Sequence, residues 1–360
     1  MPAAPIADWL AHHARSRGDH LALIDLGTGR RFTYRQAFDR TARLSGVLAG
    51  DFGVRPGNRV MVLARNSTDV YELMLAAWRI GAVFMPVNWR LAPAEVAAIV
   101  EDAEPAVIVA DDEFLAALPA AARVLERNPG SALSAYERAI TSAAPRPEHF
   151  AADLDTPNTL LYTSGTTGRP KGVIGTWRMT TVMLLQSGLS AGLSAESVTL
   201  TAAPQFHTAG LNSFATPLLH LGGTLAVMDR WEAGAALRHL ADPDLRVSHT
   251  LGVPTQFLAM ARHPDFADAR FPAVRIAAVG GAPPTLDLLD TWAAKGLALV
   301  PGYGMTEVFG VTQMRADVAR RKPTAVGWPA LYTSIRIAGN DGSSRPPGTV
   351  GEIQIRSPGV

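Results

Sequence analysis

Apolar residues recur along the chain with two periods, and the switches between them mark the elements. Ile6, Trp9, Leu10 and Ala14 fall at helical spacing, and Leu21–Asp25 and Arg31–Tyr34 read as a hairpin around Gly27-Thr28-Gly29. Thr33 and Gln36 form a capping box that opens a helix to about Ala49. Arg59–Leu63 then reads as a strand, and Ser67 stands where it would cap a helix carrying Tyr71, Leu75 and Trp78. Val83–Val87 is the next strand, Pro93 suits the first turn of a helix to about Asp102, and Ala106–Ala110 is a further apolar strand. This βαβαβ order predicts parallel strands with right-handed crossovers.

Residues 111–157 are rich in Ala and Pro without a strand period and read as a helical connection. From Thr159 the alternation resumes, with strands expected near 159–163, 197–202, 224–228, 245–250, 274–279 and 297–300. Helices are expected near 177–187, 232–240, 254–262 and 285–294. Beyond Lys322, Ser334–Ala338 and Glu352–Arg356 alternate apolar and polar residues across turn-rich segments. The expected fold is α/β, with doubly wound layered sheets and flanking helices in αβαβα order, plus a small antiparallel β subdomain near the C-terminus. Its divisions are expected at 1–157, 158–322 and 323–360.

Composition narrows the function. Of 360 residues 48% are hydrophobic and 18% charged, and 33 Lys and Arg against 32 Asp and Glu leave a net charge of +1, which argues against a disordered chain and against a nucleic-acid partner. The absence of cysteine excludes disulfides, thiolate metal sites and a cysteine nucleophile, so any reactive thiol must come from another molecule. Asp8, Arg15, Arg17 and Asp19 interrupt the first residues, so no signal peptide is expected, and no apolar run is long enough for a transmembrane segment. These features predict a cytoplasmic protein.

Chemistry concentrates in the segment from Leu160 to Gly172, where a short strand enters a loop dense in glycine and hydroxyl groups with one lysine. Backbone N–H groups, the hydroxyls of Thr163, Ser164, Thr166 and Thr167, and the Lys171 ammonium suit a polyphosphate. The spacing is not that of a Walker A loop, because Pro170 stands where the second glycine belongs and Gly172 where the metal-binding hydroxyl belongs. Two more glycine turns follow apolar strands: Gly280-Gly281-Ala282-Pro283 and Gly302-Tyr303-Gly304-Met305-Thr306-Glu307. Ligands of open parallel sheets sit beyond the carboxyl ends of the strands, so these turns can converge. Tyr303 could face a flat heterocycle and Glu307 could hold a hard cation. Taken singly, Tyr303 is more often a packed aromatic and Glu307 a surface carboxylate; the other loops shift that balance.

The sequences TSGTTGRPKG at 163–172 and GYGMTE at 302–307 resemble signature motifs of the adenylate-forming superfamily of acyl-CoA synthetases, adenylation domains and luciferase. Gly280–Pro283, the segment Pro204–Gly210 (PQFHTAG), Val326–Pro329 and Gly351–Ile353 resemble further landmarks in the same order. The resemblance implies that Thr163, Ser164, Gly165, Thr166, Thr167, Gly168 and Lys171 grip the β- and γ-phosphates of ATP. Gly281, Ala282, Pro283, Gly302, Tyr303, Gly304 and Met305 would surround the nucleotide, and Thr306 would contact the α-phosphate. Thr163 and Glu307 would hold Mg2+, His207, Thr208 and Gly280 would border the acid, and Lys171, Thr306 and Glu307 would carry the catalysis. The implied reaction converts a carboxylic acid to an acyl-adenylate and then to a thioester of coenzyme A. A carrier-protein thiol or other nucleophile is the second acceptor to consider, and a non-catalytic nucleotide- or acyl-binding module the third reading.

Three departures from the pattern carry expectations. Trp177 stands where the family usually has a histidine, which would alter how the loop meets the acid pocket. The chain ends at Val360, before the family's ribose-binding aspartate and the small domain with the adenylation lysine, which predicts weak or no turnover by this chain alone. Phe206-His207 replaces the Phe-Asp of amino-acid-activating relatives, which favours a fatty or aryl acid over an amino acid. His207 could instead be a packed core histidine, His249 reads as structural, and Thr250–Gln256 with Val308–Val311 as pocket walls. If the loop binds phosphates, Lys171→Ala and Thr166→Ala will each weaken MgATP binding about ten- to a hundredfold, as expected for loss of a charge-assisted contact. Unchanged MgATP affinity by calorimetry in both variants would remove the phosphate-loop assignment.

Overall fold

The structure, a computed structural model, describes Ile6 and residues 8–163 and 170–360. Among these, strands form a seven-stranded sheet and a six-stranded sheet. The larger sheet runs in the order Leu299–Pro301, Ile276–Val279, His249–Gly252, Val198–Thr201, Thr224–Val227, Leu21–Asp25 and Arg31–Thr33, parallel except for the last pairing. The smaller runs Val124–Arg127, Val107–Asp111, Arg59–Leu63, Val83–Pro86, Pro157–Thr163 and Lys171–Thr176, parallel except for its final hairpin.

The strand period of two sorts side chains into layers. Val60, Val62, Val107, Val109, Leu23, Leu225 and Val227 point into one core shared by both sheets, which also takes Leu44, Leu73, Trp78, Trp177 and Leu219 from the helices lying between them. The alternate residues point outward. Met61, Leu63, Ile108 and Ala110 pack under helix Pro93–Ala103, whereas Ile24, Leu200, Ala226 and Ala277 pack under helices Ala233–Ala241, Pro254–Ala261 and Leu286–Ala293. The result is the αβαβα stack. At the C-terminal end, Ser334–Ala338 pairs antiparallel with Glu352–Arg356, from Ser334 opposite Arg356 to Ala338 opposite Glu352, as the expected small β unit.

Local predictions hold where the signal is local. Thr33 and Gln36 make both bonds of the capping box, at 3.3 and 2.9 Å. Ser67 occupies the N-cap of helix Thr68–Arg79, but its hydroxyl does not cap; it accepts from Arg127 at 2.6 Å. The segment 111–157, expected to lack strands, contributes Val124–Arg127 to the edge of the six-stranded sheet, paired parallel with Val107–Asp111. Sheet membership also crosses the boundary expected at residue 157 in both directions. Pro157–Thr163 joins strands that precede it, and Leu21–Asp25 joins the later sheet. Trp177 lies buried against Trp78, ring centroids 4.8 Å apart, and against Trp9, at 5.6 Å, so its ring belongs to the core between the sheets.

Helix Thr68–Arg79 is buried at all of its residues, so its charged side chains need partners inside the protein. Asp69 accepts from Arg127 at 2.8 Å and from Arg30 at 2.6 Å, and Arg127 also donates to Asp111 at 2.7 Å. Burial alone would raise the Asp69 carboxyl, but the combined field of Arg127, Arg30 and Arg40 holds it below the usual carboxylate range. Glu72 is bound by Arg40 and by the Tyr136 hydroxyl, at 2.8 Å for the latter, and Glu137 bridges Arg30 and Arg40. Arg127→Met would leave Asp69 with Arg30 alone and Asp111 without its guanidinium, and loss of one partner from such a buried pair costs about 3–5 kcal/mol. Urea unfolding should register a loss of that size; one below about 1 kcal/mol would show that the carboxylates are satisfied without Arg127.

Candidate active site

Four neighbouring strands of the larger sheet run parallel, so their carboxyl ends share one edge. From that edge emerge Ala202–Gly210 after Val198–Thr201, Val253 after His249–Gly252, Gly280–Pro283 after Ile276–Val279, and Gly302–Glu307 after Leu299–Pro301. The turns are stitched together at their roots: Gly280 N–H donates to Gly252 O at 3.1 Å and Gly302 N–H to Val279 O at 3.0 Å. A Cβ at Gly280 would stand 3.6 Å from Gly302 O, which measures how closely the two turns approach. Gly281 has φ of +77°, a conformation that side chains resist, and Gly281, Ala282 and Pro283 are exposed.

The Gly302–Glu307 segment folds back as a tight hairpin, with Gly304 opposite Gly310 and Met305 opposite Phe309. Gly304 has no substitute here, because a Cβ would lie 2.3 Å from Phe309 O. Tyr303 is fixed at its backbone: its N–H donates to Thr312 Oγ1 at 3.1 Å, and its carbonyl accepts from the Val311 and Thr312 N–H groups. Thr312, which sequence reasoning did not single out, also donates to Val326 O at 2.6 Å and so ties the hairpin to the Val326–Pro329 segment. At the hairpin's bend Thr306 is buried, whereas Glu307 is exposed and makes no hydrogen bond or ion pair among the described residues.

His207 is the N-cap residue of the single turn Thr208–Leu211, where its Nδ1 accepts from Ala209 N–H at 3.2 Å. Its ring reaches the surface, yet desolvation by the surrounding protein pulls its pKa below the ordinary 6.5. It is therefore not a packed core histidine. His249 is one: fully buried, it lies between Ser248 Oγ at 2.8 Å and Ala191 O at 2.9 Å, and its pKa too is lowered by burial. Thr250, Gly252 and Gln256 line a cavity of about 10 Å³ with Leu200, Trp231 and Phe257, barely the room one water needs. A groove of about 660 Å³ lies elsewhere, between Leu286–Ala293 and Ala316–Arg321, and contains none of the expected site residues.

Thr163 and Lys171 face each other across the hairpin of the smaller sheet, so they close the mouth of the hydroxyl-rich loop. No hydrogen bond or ion pair among the described residues ties either to the glycine turns. Ser164, Gly165, Thr166, Thr167 and Gly168 lie outside the described residues. Asn66 and Tyr71 bond instead to the Ala202–Gly210 segment, Asn66 to Ala203 and Gln205 and Tyr71 to Gly210. Gln205 lies within a recognised motif, but nothing in the sequence joins it to Asn66, 139 positions away.

Residues 10–360 match the family described as AMP-binding enzyme. A feruloyl-CoA synthase from an Amycolatopsis species is 36% identical over 358 residues, which cover 99% of this chain and 70% of the relative. Among solved structures, the inhibitor-bound N-terminal domain of FACL13 from Mycobacterium tuberculosis superposes with a TM-score of 0.90 at 28% identity, covering 99% of this chain and 89% of that one. The o-succinylbenzoate CoA synthetase of Bacillus subtilis, in complex with its acyl-adenylate intermediate, gives a TM-score of 0.87 at 25% identity, covering 99% of this chain and 70% of that one. With a match that runs over nearly its whole length and includes the glycine turns at the sheet edge, the chain belongs to the AMP-binding enzyme family.

Proposed function

We propose that the chain takes part in the ATP-dependent activation of an aryl or fatty carboxylic acid and its transfer to coenzyme A, with the acyl-adenylate held at the shared strand edge. The observation that carries this reading is that the Ala202–Gly210, Gly280–Pro283 and Gly302–Glu307 turns leave the same edge of a run of four neighbouring parallel strands. In the first step a carboxylate oxygen attacks the α-phosphorus of ATP as the bond to the β-phosphate breaks, and pyrophosphate leaves. In the second a thiol sulfur attacks the acyl carbon, the bond from that carbon to the phosphate oxygen breaks, AMP departs with that electron pair, and the thiol proton passes to solvent. The first step needs no general base, because the carboxylate attacks already ionised, so what the protein must supply there is orientation and positive charge.

In this arrangement Tyr303 and Gly281–Pro283 would border the adenosine, with Gly302, Gly304 and Met305 shaping the turn. Thr306 would meet the α-phosphate, and Lys171 would meet the outer phosphates with the hydroxyl-rich loop. His207, Thr208 and Gly280 would border the acid. Mg2+ would neutralise phosphate charge. The hydroxyl of Thr163 and the exposed carboxylate of Glu307 are hard oxygen donors suited to it, and the described residues hold no cluster of three acidic or histidine ligands, so phosphate oxygens would complete its shell.

The Ala202–Gly210 segment contains no carboxylate to pair with an ammonium group. Calorimetry with acyl-sulfamoyl adenosines tests the class: the feruloyl compound should bind at least about tenfold tighter than the phenylalanyl one, because an unpaired buried ammonium is disfavoured. Tighter binding of the phenylalanyl compound, or equal binding of both and AMP, would overturn the reading. Thioester formation from ferulate and palmitate, with coenzyme A and a phosphopantetheine-bearing carrier protein compared as acceptors, identifies the nucleophile.

A further inference from the structure

The segment that carries Phe206 and His207 is held from the opposite sheet by two side-chain amides. Asn66 accepts from the Gln205 backbone N–H at 3.0 Å and donates to Ala203 O at 2.9 Å. Gln205 returns both bonds: its side-chain oxygen accepts from Ser67 N–H at 2.8 Å, and its side-chain nitrogen donates to Ser67 O at 2.9 Å. Each amide thus spends one donor and one acceptor on the backbone of the other loop, and both are buried. Tyr71 extends the grip, its hydroxyl donating to Gly210 O at 2.6 Å. Arg127 supports Ser67 from behind through the Ser67 hydroxyl.

The segment so held is tightly curled. A Cβ at Gly210 would lie 2.3 Å from Pro204 O, so the chain between them has little room to move without losing these bonds. Apolar packing between the sheets is non-directional and would accept small shifts of the loop, whereas buried amides are satisfied in one relative placement only. Phe206 follows Gln205 directly, with the Arg90 guanidinium 5.4 Å from its ring centroid, and His207 comes next. The placement of both therefore depends on a residue in the other sheet's connection.

We propose that Asn66 and Gln205 are positioning residues for acid recognition: their reciprocal clasp sets where Phe206 and His207 stand against the acyl group. The proposal rests on the reading of Pro204–Gly210 as the acid side of the site. It acts through the acid half of the ligand, so the nucleotide half should not sense it.

The test compares binding of 5′-O-(N-feruloylsulfamoyl)adenosine and of AMP by calorimetry, with thermal unfolding alongside. Gln205→Met fills the same volume without polar atoms, and Asn66→Ala removes the partner. Each should weaken the feruloyl compound about ten- to a hundredfold while AMP stays within about twofold. Gln205→Glu adds a rescue arm. A neutral carboxyl can accept from Ser67 N–H and donate to Ser67 O, whereas a carboxylate would face that carbonyl. Its affinity for the feruloyl compound, corrected by AMP, should recover as pH falls from about 8 to about 5.5, while Gln205→Met shows no such recovery. Equal weakening of both ligands, wild-type affinity in both clasp variants, or a pH response shared with Gln205→Met would overturn the proposal. Should Gln205→Met fail to unfold cooperatively, Asn66→Ala and Gln205→Glu decide it. His207→Ala separates the two claims. If it leaves the feruloyl affinity unchanged, the acid-side reading itself falls; if it weakens binding while the clasp variants do not, only the clasp falls.

Discussion

Helix Thr68–Arg79 is sealed between two sheets, and the charges it carries into that space govern much of the surrounding architecture. Buried ions tolerate neither water's absence nor a missing partner. Asp69 and Glu72 are matched by Arg30, Arg40 and Arg127 from three separate parts of the chain. Arg79, at the other end, is paired with Asp8 and donates to Arg146 O at 2.9 Å; burial first, then the neighbouring Arg146, brings its pKa down to about 10. The first helix, the 31–50 region and the 111–150 connection are thereby fastened to one element. A connection that reads as filler in the sequence supplies Arg127, Glu137 and Arg146.

The same helix links structure to site. Its first residues leave backbone N–H groups without helical partners, and these are taken from outside: Ser67 N–H by Gln205 and Thr68 N–H by Asp25, at 3.1 Å. One bond reaches the Ala202–Gly210 segment at the strand edge and the other the N-terminal hairpin. The Gly280–Pro283 and Gly302–Glu307 turns are built differently, with geometry that depends on glycine at Gly281 and Gly304 and on the Thr312 hydroxyl. Chemistry of two kinds, amide clasp and glycine turn, thus meets along one row of strand ends.

What could be read from the sequence was whatever neighbouring residues decide among themselves. The capping box at Thr33, the Pro93 helix start and the alternation in Arg59–Leu63 are of this kind. A strand expected over 245–250 begins only at His249, because Arg246 adopts φ of +51° and breaks the extended run even though Leu245 and Val247 are buried apolar residues. Val124–Arg127 was illegible because its four residues are short and end in an arginine that only a buried carboxylate pair makes acceptable there. Ser67 looked like a cap, but its competitor, Arg127, is 60 positions away. The glycine turns were legible because no side chain can imitate them. The Asn66–Gln205 pair was not, since amides advertise no partner.

The sheets are interleaved along the chain rather than assembled in turn. Leu21–Asp25 finds its parallel neighbour only in Thr224–Val227, and Thr224 bonds to the carbonyl of Leu21 from 203 positions away. On a ribosome the opening hairpin must therefore wait until most of the chain has emerged, and the six-stranded sheet can close first beneath an unfinished one. Parallel pairings at such separation carry a large loop-closure cost and fold slowly. During that interval the apolar residues of Leu21–Asp25 lack their parallel neighbour, and unpaired apolar strands of this kind are the ones most prone to wrong association.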